Sequence, residues 1–464
     1  MADDLMEKIV SLTKRRGFMY PGSEIYGGLS GTWDYGPLGL ALKNNVKNIW
    51  WRMHVLERDD MYGVDAAILM NPKAWEASGH VAGFSDPLVE CKKCHHRFRA
   101  DHLYNAFLES VSSEPRLADM PVEDLFEKIK RINLSCPDCG GQFLEPRQFN
   151  MMFKTHVGAT EDEASVSYLR PETAGGIFVN FKNVVDSFHP KLPFGIAQIG
   201  KAFRNEIAPR DFVFRSREFE QMEVEYFVRP GEWEDAFESW RKSVHVFNEA
   251  VGIPASRVHE LEVPDGERAH YSKRTIDFEF DFPFGRKELY GLAYRTDFDL
   301  SAHASASGAK LGMVDEEGKE PIVPHVVEPS FGVDRTVLAI LTSAYTEDEL
   351  GGESRTYLKF NPAVAPVKAA VFPLLKNKPE LVKKAREIYT DLKQVQPQIM
   401  WDDNGNIGKR YRRQDEIGTP VCITVDFDTL GEKPELKDTV TVRDRDTGEQ
   451  ERVAVSELSS KIAL

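Results

Sequence analysis

The pattern of hydrophobic and polar positions in residues 198–227 predicts a strand, a connecting loop and a second strand. A period of two places small residues followed by two charged ones on one face of the first strand: Gln198, Gly200, Ala202, Arg204 and Glu206. A buried structural strand would carry β-branched or aromatic residues there. One face of the second strand combines a ring with polar groups: Phe219, Gln221, Glu223 and Glu225. The pattern therefore predicts a surface that binds an anion, a planar base and a cation together.

The same kind of pattern predicts further elements on both sides of this hairpin. A short helix is expected to end near residues 16–17, and a longer one to run from Leu38 to about Glu57. An apolar strand is expected over residues 62–70, an amphipathic helix over 232–251 and a strand over 276–283. Beyond residue 365, strands alternate with helices, which is typical of a small α/β domain with a mainly parallel sheet.

Composition narrows the class of protein. The chain has 464 residues, 41% hydrophobic and 29% charged, which fits a soluble globular protein of two or three domains. We find no signal peptide and no apolar run long enough to span a membrane, so a cytoplasmic location and no membrane partner are expected. The net charge of −15 would repel nucleic acid, so RNA binding would need a local basic patch. One dense candidate for such a patch exists: Lys409, Arg410, Arg412 and Arg413. A solvated helix face explains the same pattern.

Four cysteines occur as two Cys-x-x-Cys pairs, Cys91 with Cys94 and Cys136 with Cys139. Four thiolates suit a tetrahedral Zn²⁺ site, and the glycines that follow Cys139 allow a tight turn around a metal. The piece between the pairs, residues 103–131, is expected to be helical and acidic. Four reduced thiols without a metal remain the alternative.

Two other stretches combine a turn with charged residues. Pro171 ends any regular element before a helix that starts near Ala174, so Glu172 is expected to point into a cleft. The alternative is that Glu172 lies there only because the dipole at the start of the helix stabilises its negative charge. Residues 325–341 are expected to form a strand, a turn at Gly332 and a helix with Asp334 and Arg335 in its first turn.

These stretches resemble the three sequence motifs of the class II aminoacyl-tRNA synthetases. The helix and strand over residues 38–70 resemble motif 1, residues 200–227 resemble motif 2, and residues 325–341 resemble motif 3. Residues 33–39 (WDYGPLG) and 75–80 (WEASGH) resemble the dimeric, single-chain glycyl-tRNA synthetases in particular. The resemblance implies a class II, α+β catalytic domain with a mainly antiparallel sheet over residues 1–345. It also implies a zinc-knuckle and helical insertion at about 88–148, a linker over 346–365 and an α/β anticodon-binding domain over 366–464.

The resemblance also assigns roles to residues. It implies that Arg204 and Arg335 are catalytic. The implied ATP-binding residues are Arg204, Asn205, Glu206, Phe214, Arg215, Phe219, Glu288, Leu289, Gly332, Asp334 and Arg335. The implied glycine-binding residues are Arg99, Glu172, Phe219, Gln221, Glu223, Arg295, Glu328 and Ser330. The basic cluster at 409–413 would bind tRNA(Gly), Mg²⁺ would accompany ATP near Glu288, and the four paired cysteines would bind structural Zn²⁺.

The activity that the resemblance implies is the ATP-dependent activation of glycine and its transfer to tRNA by a homodimer. Two alternatives come from other classes of protein. One is a catalytically inactive homologue that binds tRNA or DNA as an accessory subunit, but Arg204, Glu206, Phe219 and Arg335 are all present. The other is a class II synthetase for another amino acid such as serine or proline, which the two glycyl-type strings disfavour.

Overall fold

The computed structural model describes residues 2–111, 122–269, 271–314 and 321–462. The helices in these ranges are α1 (Ala2–Arg15), α2 (Pro37–Trp51), α3 (Pro72–Ala77), α4 (His80–Gly83), α5 (Ala100–Val111), α6 (Val122–Arg131), α7 (Ala174–Phe188), α8 (Trp233–Val251), α9 (Phe298–Ser307), α10 (Val333–Ala344), α11 (Pro379–Val395), α12 (Ile407–Glu416), α13 (Phe427–Leu430) and α14 (Leu458–Ile462).

The strands of the first 344 residues are β1 (Met19–Pro21), β2 (Trp33–Tyr35), β3 (Met61–Gly63), β4 (Ser85–Glu90), β5 (Arg97–Arg99), β6 (Arg147–Asn150), β7 (Lys154–His156), β8 (Val166–Tyr168), β9 (Phe194–Phe203), β10 (Glu218–Val228), β11 (Val258–Glu262), β12 (Arg274–Phe282), β13 (Gly285–Thr296), β14 (Met313–Val314), β15 (Pro321–Ile322) and β16 (His325–Gly332). The later strands are β17 (Tyr345–Leu350), β18 (Glu353–Leu358), β19 (Ala369–Pro373), β20 (Ile399–Trp401), β21 (Val421–Val425), β22 (Thr439–Asp444) and β23 (Gln450–Ala454).

A seven-stranded sheet is the centre of the larger domain, with the order β11-β12-β13-β16-β10-β9-β3. Every neighbouring pair is antiparallel except β3 with β9. The predicted class II architecture with a mainly antiparallel sheet is therefore confirmed. Alternate residues of β10, such as Met222 and Val224, are buried in the core that helices α2, α8 and α10 share with the sheet. Burial of this apolar face drives the packing of the helices onto it.

The opposite face of the sheet carries the polar residues of β10. Helix α7 covers one end of this face, where Phe181 packs against the rings of Phe194 and Phe227. The end that carries Phe219 and Gln221 lines a cavity instead. One face of each strand thus builds the core and the other builds a site, as the alternation predicts.

Two predicted strand boundaries are wrong, and one helix boundary is confirmed. The strand expected over residues 62–70 is limited to β3, and only Leu69 makes a further bridge, to Leu169. The long helix predicted from Leu38 to about Glu57 is confirmed, because α2 ends at Trp51 and a π-helical segment continues it to Leu56. The first hairpin strand, β9, ends at Phe203 and does not reach residue 206. It ends there because the next residues turn away from the β10 ladder, and the Asn205 N–H donates to the carbonyl of Met151 at 2.7 Å.

The insertion between β4 and β6 is a small unit with its own core. Strand β4 lies between β5 and β6, and helices α5 and α6 pack on the cysteine pairs through residues such as Leu108 and Ile129. The predicted helical character is confirmed for these two helices, and the middle of the predicted stretch, residues 112–121, lies outside the described residues.

The C-terminal unit is an α/β sheet of order β20-β19-β21-β22-β23. The prediction of a mainly parallel sheet is half right: β19 is parallel to β20 and β21, but β22 and β23 are antiparallel additions. The expected linker contains the hairpin β17–β18, whose buried Arg355 donates to Asp415 of α12. Within the described ranges, no helix is long and apolar enough to cross a membrane.

Candidate active site

A cavity of about 440 Å³ opens beside strands β10, β13 and β16. Its wall contains the ATP- and amino-acid-binding residues predicted from the sequence, with the exceptions of Asn205 and Arg295. Asn205 turns away into the contact with Met151, and Arg295 lies beneath the wall with 1% of its surface exposed. Residues as far apart in the chain as Arg99 and Arg335 are therefore gathered in one cavity.

Arg204 and Phe219 form one wall of the cavity. The guanidinium of Arg204 lies 5.3 Å from the centre of the Phe219 ring, and its Nε donates to the carbonyl of Pro171 at 3.1 Å. Within the described part of the chain, this is the one hydrogen bond of the Arg204 side chain. The remaining N–H groups are available for a phosphate, which a guanidinium binds in fork geometry.

A second arginine faces the cavity from the first turn of α10. Arg335 Nη1 donates to the carboxylate of Glu288 at 3.1 Å and to its carbonyl at 3.0 Å, and the guanidinium lies over the ring of Phe214. The charge of Arg335 lowers the pKa of Glu288, with Arg204 and Arg215 acting in the same direction against the effect of burial. Glu288 is therefore an ionised carboxylate near three arginines, as a cation site next to bound phosphates requires.

Asp334, predicted to bind ATP, has another role in the structure. Its Oδ1 accepts from the Tyr35 hydroxyl at 2.6 Å and from Lys43 Nζ at 3.1 Å, and its Oδ2 accepts from the Glu220 N–H at 2.7 Å. Both oxygens are thus occupied by the fold. Asp334 fixes the start of α10, beside Arg335, against α2 and β10, and a direct contact of Asp334 with ATP stays a prediction.

The other half of the cavity is acidic. Glu172 lies 3.3 Å from Nε2 of His80. Burial raises the pKa of Glu172, but the charges of His80, Arg295 and Arg204 outweigh that effect and the pKa falls to about 2. Glu172 is therefore ionised in the cavity wall, as the turn before α7 predicts.

Glu223 is the most extensively hydrogen-bonded carboxylate of the cavity. Its Oε2 accepts from the N–H of Thr173 at 3.0 Å and from the Thr173 hydroxyl, and its Oε1 accepts from Gln221 Nε2 and Ser330 Oγ, both at 2.8 Å. Thr173 is the residue before α7, and its side chain makes no capping hydrogen bond to the helix. The four donors hold the carboxylate of Glu223 in a fixed orientation.

Arg295 organises the floor of the acidic half. Its Nε and Nη2 donate to the two carboxylate oxygens of Asp299 at 2.8 and 2.9 Å, and its Nη1 donates to Glu328 at 2.8 Å. Burial raises the pKa of Glu328 to about 8, because the neighbouring Glu223 and Glu172 oppose the lowering effect of Arg295. Arg295 therefore steadies the glutamates and does not reach the cavity itself.

Arg99 connects the insertion to the cavity. It lies at the end of β5, donates to Asp86 at 2.8 Å and makes a two-bond pair with Asp101. The predicted proximity of Arg99 to the substrate site is consistent with its place in the wall.

The comparisons with known proteins agree with this geometry. Residues 153–344 match a family described as tRNA synthetase class II core domain (G, H, P, S and T), and residues 368–463 match a family described as anticodon binding domain. A protein named glycine–tRNA ligase from Lachnospira eligens is 52% identical over 459 residues, 98% of this chain and 97% of the relative. Relatives of the same name from Bacillus cereus and Caldanaerobacter subterraneus are 51% and 50% identical, over 98% of this chain and at least 96% of their own lengths.

This chain is a class II aminoacyl-tRNA synthetase. The activity of the class is ATP-dependent, with Mg²⁺, and the sheet, the cavity and the second domain all have the arrangement that the sequence motifs imply. An accessory homologue without activity is disfavoured, because Arg204 and Arg335 lie in the same cavity.

Sequence reasoning missed several residues of the synthetase's cavity. His80 is the last residue of the glycyl-type string at residues 75–80, but only the structure places it against Glu172. Tyr271 lies with its ring 3.9 Å from the Arg295 guanidinium. Asp277 also lines the wall, and burial together with Glu288 and Glu279 raises its pKa to about 7. The alternation of β12 places Asp277 opposite the buried Phe278 and Phe280, which is a signal that could have been used.

The four paired cysteines of the synthetase form one cluster. Their sulfur atoms all lie within 4.8 Å of one another, with Cys91 and Cys139 3.4 Å apart and Cys94 and Cys136 3.7 Å apart. A zinc tetrahedron with Zn–S bonds of 2.3 Å has sulfur–sulfur edges of about 3.8 Å. A Cβ on Gly141 would lie 2.9 Å from the sulfur of Cys91, so the turn admits only glycine. The donor set and the spacing are those of a zinc site.

The predicted basic cluster falls on α12 of the synthetase, but its members point in different directions. Arg410 is buried and donates to the carbonyls of Pro373, Asp403 and Gly405, so it serves the fold and offers no surface charge. Arg413 pairs with Asp402. Lys409 is exposed, and Arg412 is partly exposed beside Glu353. The cluster therefore loses Arg410 from the surface and keeps Lys409 as its fully exposed cation, with Arg412 and Arg413 partly exposed and each paired with a carboxylate.

Proposed function

We propose that this synthetase is a glycine–tRNA ligase, which activates glycine with ATP and transfers it to tRNA(Gly). The observation that carries the proposal is the division of one cavity into two halves: Arg204, Phe219 and Arg335 suit ATP, and a small pocket of Glu172, Glu223 and Glu328 suits an ammonium. The relatives named glycine–tRNA ligase, which match over nearly the whole chain, support it.

The experiment that tests it is pyrophosphate exchange against a panel of twenty amino acids. We expect exchange with glycine, and exchange with alanine at least tenfold lower in kcat/KM. A panel in which another amino acid is activated best would overturn the assignment.

Activation is an attack of the glycine carboxylate on the α-phosphorus of ATP, which forms glycyl-adenylate and releases pyrophosphate. The carboxylate is already ionised, so no general base is needed. Phosphoryl chemistry depends chiefly on positioning and on neutralising developing charge. Arg204 supplies its free N–H groups to the α-phosphate, Arg335 faces the γ-phosphate, and Phe219 stacks on adenine. Mg²⁺ supplies further neutralisation when it is bound with ATP, and Glu288 is the carboxylate that would hold it.

Selection of glycine is a matter of charge and size. The glutamates bind the ammonium group, and Ser330 lies fixed against Glu223 on the side where a Cβ would project. Excluding a larger side chain by clash is more effective than recognising the absence of one, so no second, editing site is needed. In the second step, the terminal adenosine hydroxyl of tRNA(Gly) attacks the glycyl carbonyl and AMP leaves.

We further propose that the protein is a cytoplasmic homodimer with the domain limits given above. None of the five cysteines in the described residues forms a disulfide, as in a reducing compartment. The expectation of a dimer rests on the resemblance of residues 38–70 to motif 1. Sedimentation measures the oligomeric state directly.

The cysteine cluster is expected to hold about one zinc per chain. Cys136→Ser and Cys91→Ser should lose that zinc, because a tetrahedral site needs all four ligands. The matched control is Cys422→Ser, a buried cysteine of β21 outside the cluster. Elemental analysis of the three purified variants checks the prediction. The prediction is wrong if Cys136→Ser keeps its zinc. It is also wrong if the unaltered protein, purified from cells grown with zinc in the medium, contains none.

Exposed cations of α12 are expected to contribute to tRNA binding. The double variant Lys409→Glu/Arg412→Glu should raise the KM for tRNA several-fold and reduce the salt dependence of binding, since each phosphate contact releases a counterion. Lys383→Glu, an exposed lysine of α11 in the same domain, is the control. Pyrophosphate exchange without tRNA should be the same in all of them. Equal tRNA affinity in the double variant and the control would remove α12 from the tRNA surface.

A further inference from the structure

Beneath the amino-acid pocket, carboxylates outnumber cations. Five carboxyl groups surround the buried guanidinium of Arg295: Glu172, Glu223, Glu225, Glu328 and Asp299. Burying several negative charges together is strongly unfavourable unless each is paired or neutralised. The hydrogen bonds of each group show which carboxyls are charged.

Three of the five are held as carboxylates. Asp299 makes the two-bond pair with Arg295, and Glu172 faces His80. Burial and the nearby Glu172 raise the pKa of Glu223, but this carboxyl accepts hydrogen bonds from four donor groups, which favour the ionised form. These contacts stabilise a negative charge on each of the three.

Glu225 is the opposite case. It lies two residues after Glu223 on the same face of β10, its side chain is completely buried, and neither carboxyl oxygen has a hydrogen-bond partner in the described part of the chain. Burial, and then the nearby Glu328, raise the pKa of Glu225 well above its usual value. A buried carboxyl without a donor is stable only as the neutral acid.

Glu328 is intermediate between the hydrogen-bonded carboxylates and the unbonded Glu225. It accepts one hydrogen bond from Arg295, a guanidinium already engaged by Asp299, and it has a pKa of about 8. The other titratable or charged groups around the two carboxyls come from several elements: His80 of α4, Arg170 and Glu172 before α7, Arg204 after β9, Glu223 of β10, Tyr271 before β12, Arg295 of β13, and Asp299 and His303 of α9.

We propose that the substrate's ammonium group enters this pocket in exchange for a proton of Glu328, while Glu225 is a further positioning residue that stays a neutral acid at the pocket floor. The inference rests on the proposed function, because it takes glycine as the ligand. No covalent bond changes: Glu328 becomes a carboxylate and its proton passes to solvent. One positive charge enters as one leaves, so the buried pocket keeps the same net charge in both states.

The first test measures proton release from the unaltered protein. A non-hydrolysable glycyl-adenylate analogue is titrated calorimetrically near pH 7 in two buffers, phosphate and Tris, which differ in ionisation enthalpy. We expect close to one proton released per site. We also expect the KM for glycine in pyrophosphate exchange to fall nearly tenfold for each pH unit between about 6 and 8, the range in which the free pocket holds the proton of Glu328. A titration with no proton release overturns the inference.

Variants separate the two carboxyls. Glu328→Gln should abolish proton release and weaken binding of the analogue. Glu225→Ala should raise the KM for glycine at least tenfold, and Glu225→Gln should restore it to within about threefold of the original, since an uncharged amide has nearly the shape of the neutral acid. If Glu225→Gln raises the KM for glycine as much as Glu225→Ala does, Glu225 acts through a negative charge and is not a neutral acid. If glycine is not activated at all, the proposed function fails; if glycine binds without releasing a proton, only this inference does.

Discussion

Arg204→Ala is expected to lower the rate of glycine-dependent pyrophosphate exchange by on the order of 10²–10³ or more, with the fold intact. Arg204 has one hydrogen bond to the protein among the described residues, and the rest of its guanidinium faces the cavity. Its charge therefore acts on the phosphate as the bond to pyrophosphate breaks. Losing a preorganised donor at that position removes stabilisation from the transition state, so kcat should fall more than the KM for ATP rises.

The matched control is Arg210→Ala. Arg210 lies in the loop between β9 and β10, with 57% of its side chain exposed, and its contact is with Asp211. Circular dichroism and the melting temperature should be the same for both variants. An Arg204→Ala protein that is folded and exchanges pyrophosphate at nearly the original rate would remove Arg204 from catalysis.

Glu223→Gln is expected to lower kcat/KM for glycine by several hundred-fold or more, and to leave ATP binding nearly unchanged. Four donors converge on the carboxylate of Glu223, so an amide nitrogen there would face hydrogen-bond donors and the negative charge would be lost. Removing one partner from a desolvated, charged site costs about 3–5 kcal/mol. The lower kcat/KM should come from an increase in the KM for glycine.

Glu218→Gln is the control for this variant. Glu218 lies on the same strand, but it is exposed and pairs with Lys201 at the surface. Steady-state exchange at varied glycine and varied ATP separates the two KM values. Normal glycine activation by Glu223→Gln, or an equal rise in the KM for ATP, contradicts the assignment of Glu223 to the amino-acid half of the cavity.

The central hairpin was predictable because its alternation carries two kinds of information at once. Apolar residues at Met222 and Val224 indicate the core face, and Phe219 and Glu223 indicate the site face. The antiparallel neighbours of β10 follow from the same pattern. The ends of elements were less predictable: β9 stops at Phe203 because a contact with Met151 turns the backbone away, and Met151 is 52 residues earlier in the chain.

The side-chain partners could not be read from the sequence. Arg410 stands in a basic run, but its guanidinium is buried on three carbonyls of its own domain. Asp334 stands beside Arg335 in the sequence, but it bonds to Tyr35 and Lys43, about 300 residues away. Such contacts depend on how distant segments pack. Helix periodicity and strand alternation report only the direction of a side chain from its own element.

Strand β10 pairs with β9 over ten consecutive residues and also with β16 on its other side. A shift of one residue in this double register would move Phe219 and Glu223 into the core and bring Met222 into the cavity. Insertions or deletions of single residues within β9, β10 or β16 should therefore destroy folding and activity together. Length variation among functional sequences should be confined to loops that carry neither core nor cavity residues. The loop over residues 205–216 is not one of these, because Phe212 and Val213 are buried in the core and Phe214 and Arg215 line the cavity. A scan of single-residue deletions would therefore map the sheet and this loop together by loss of activity.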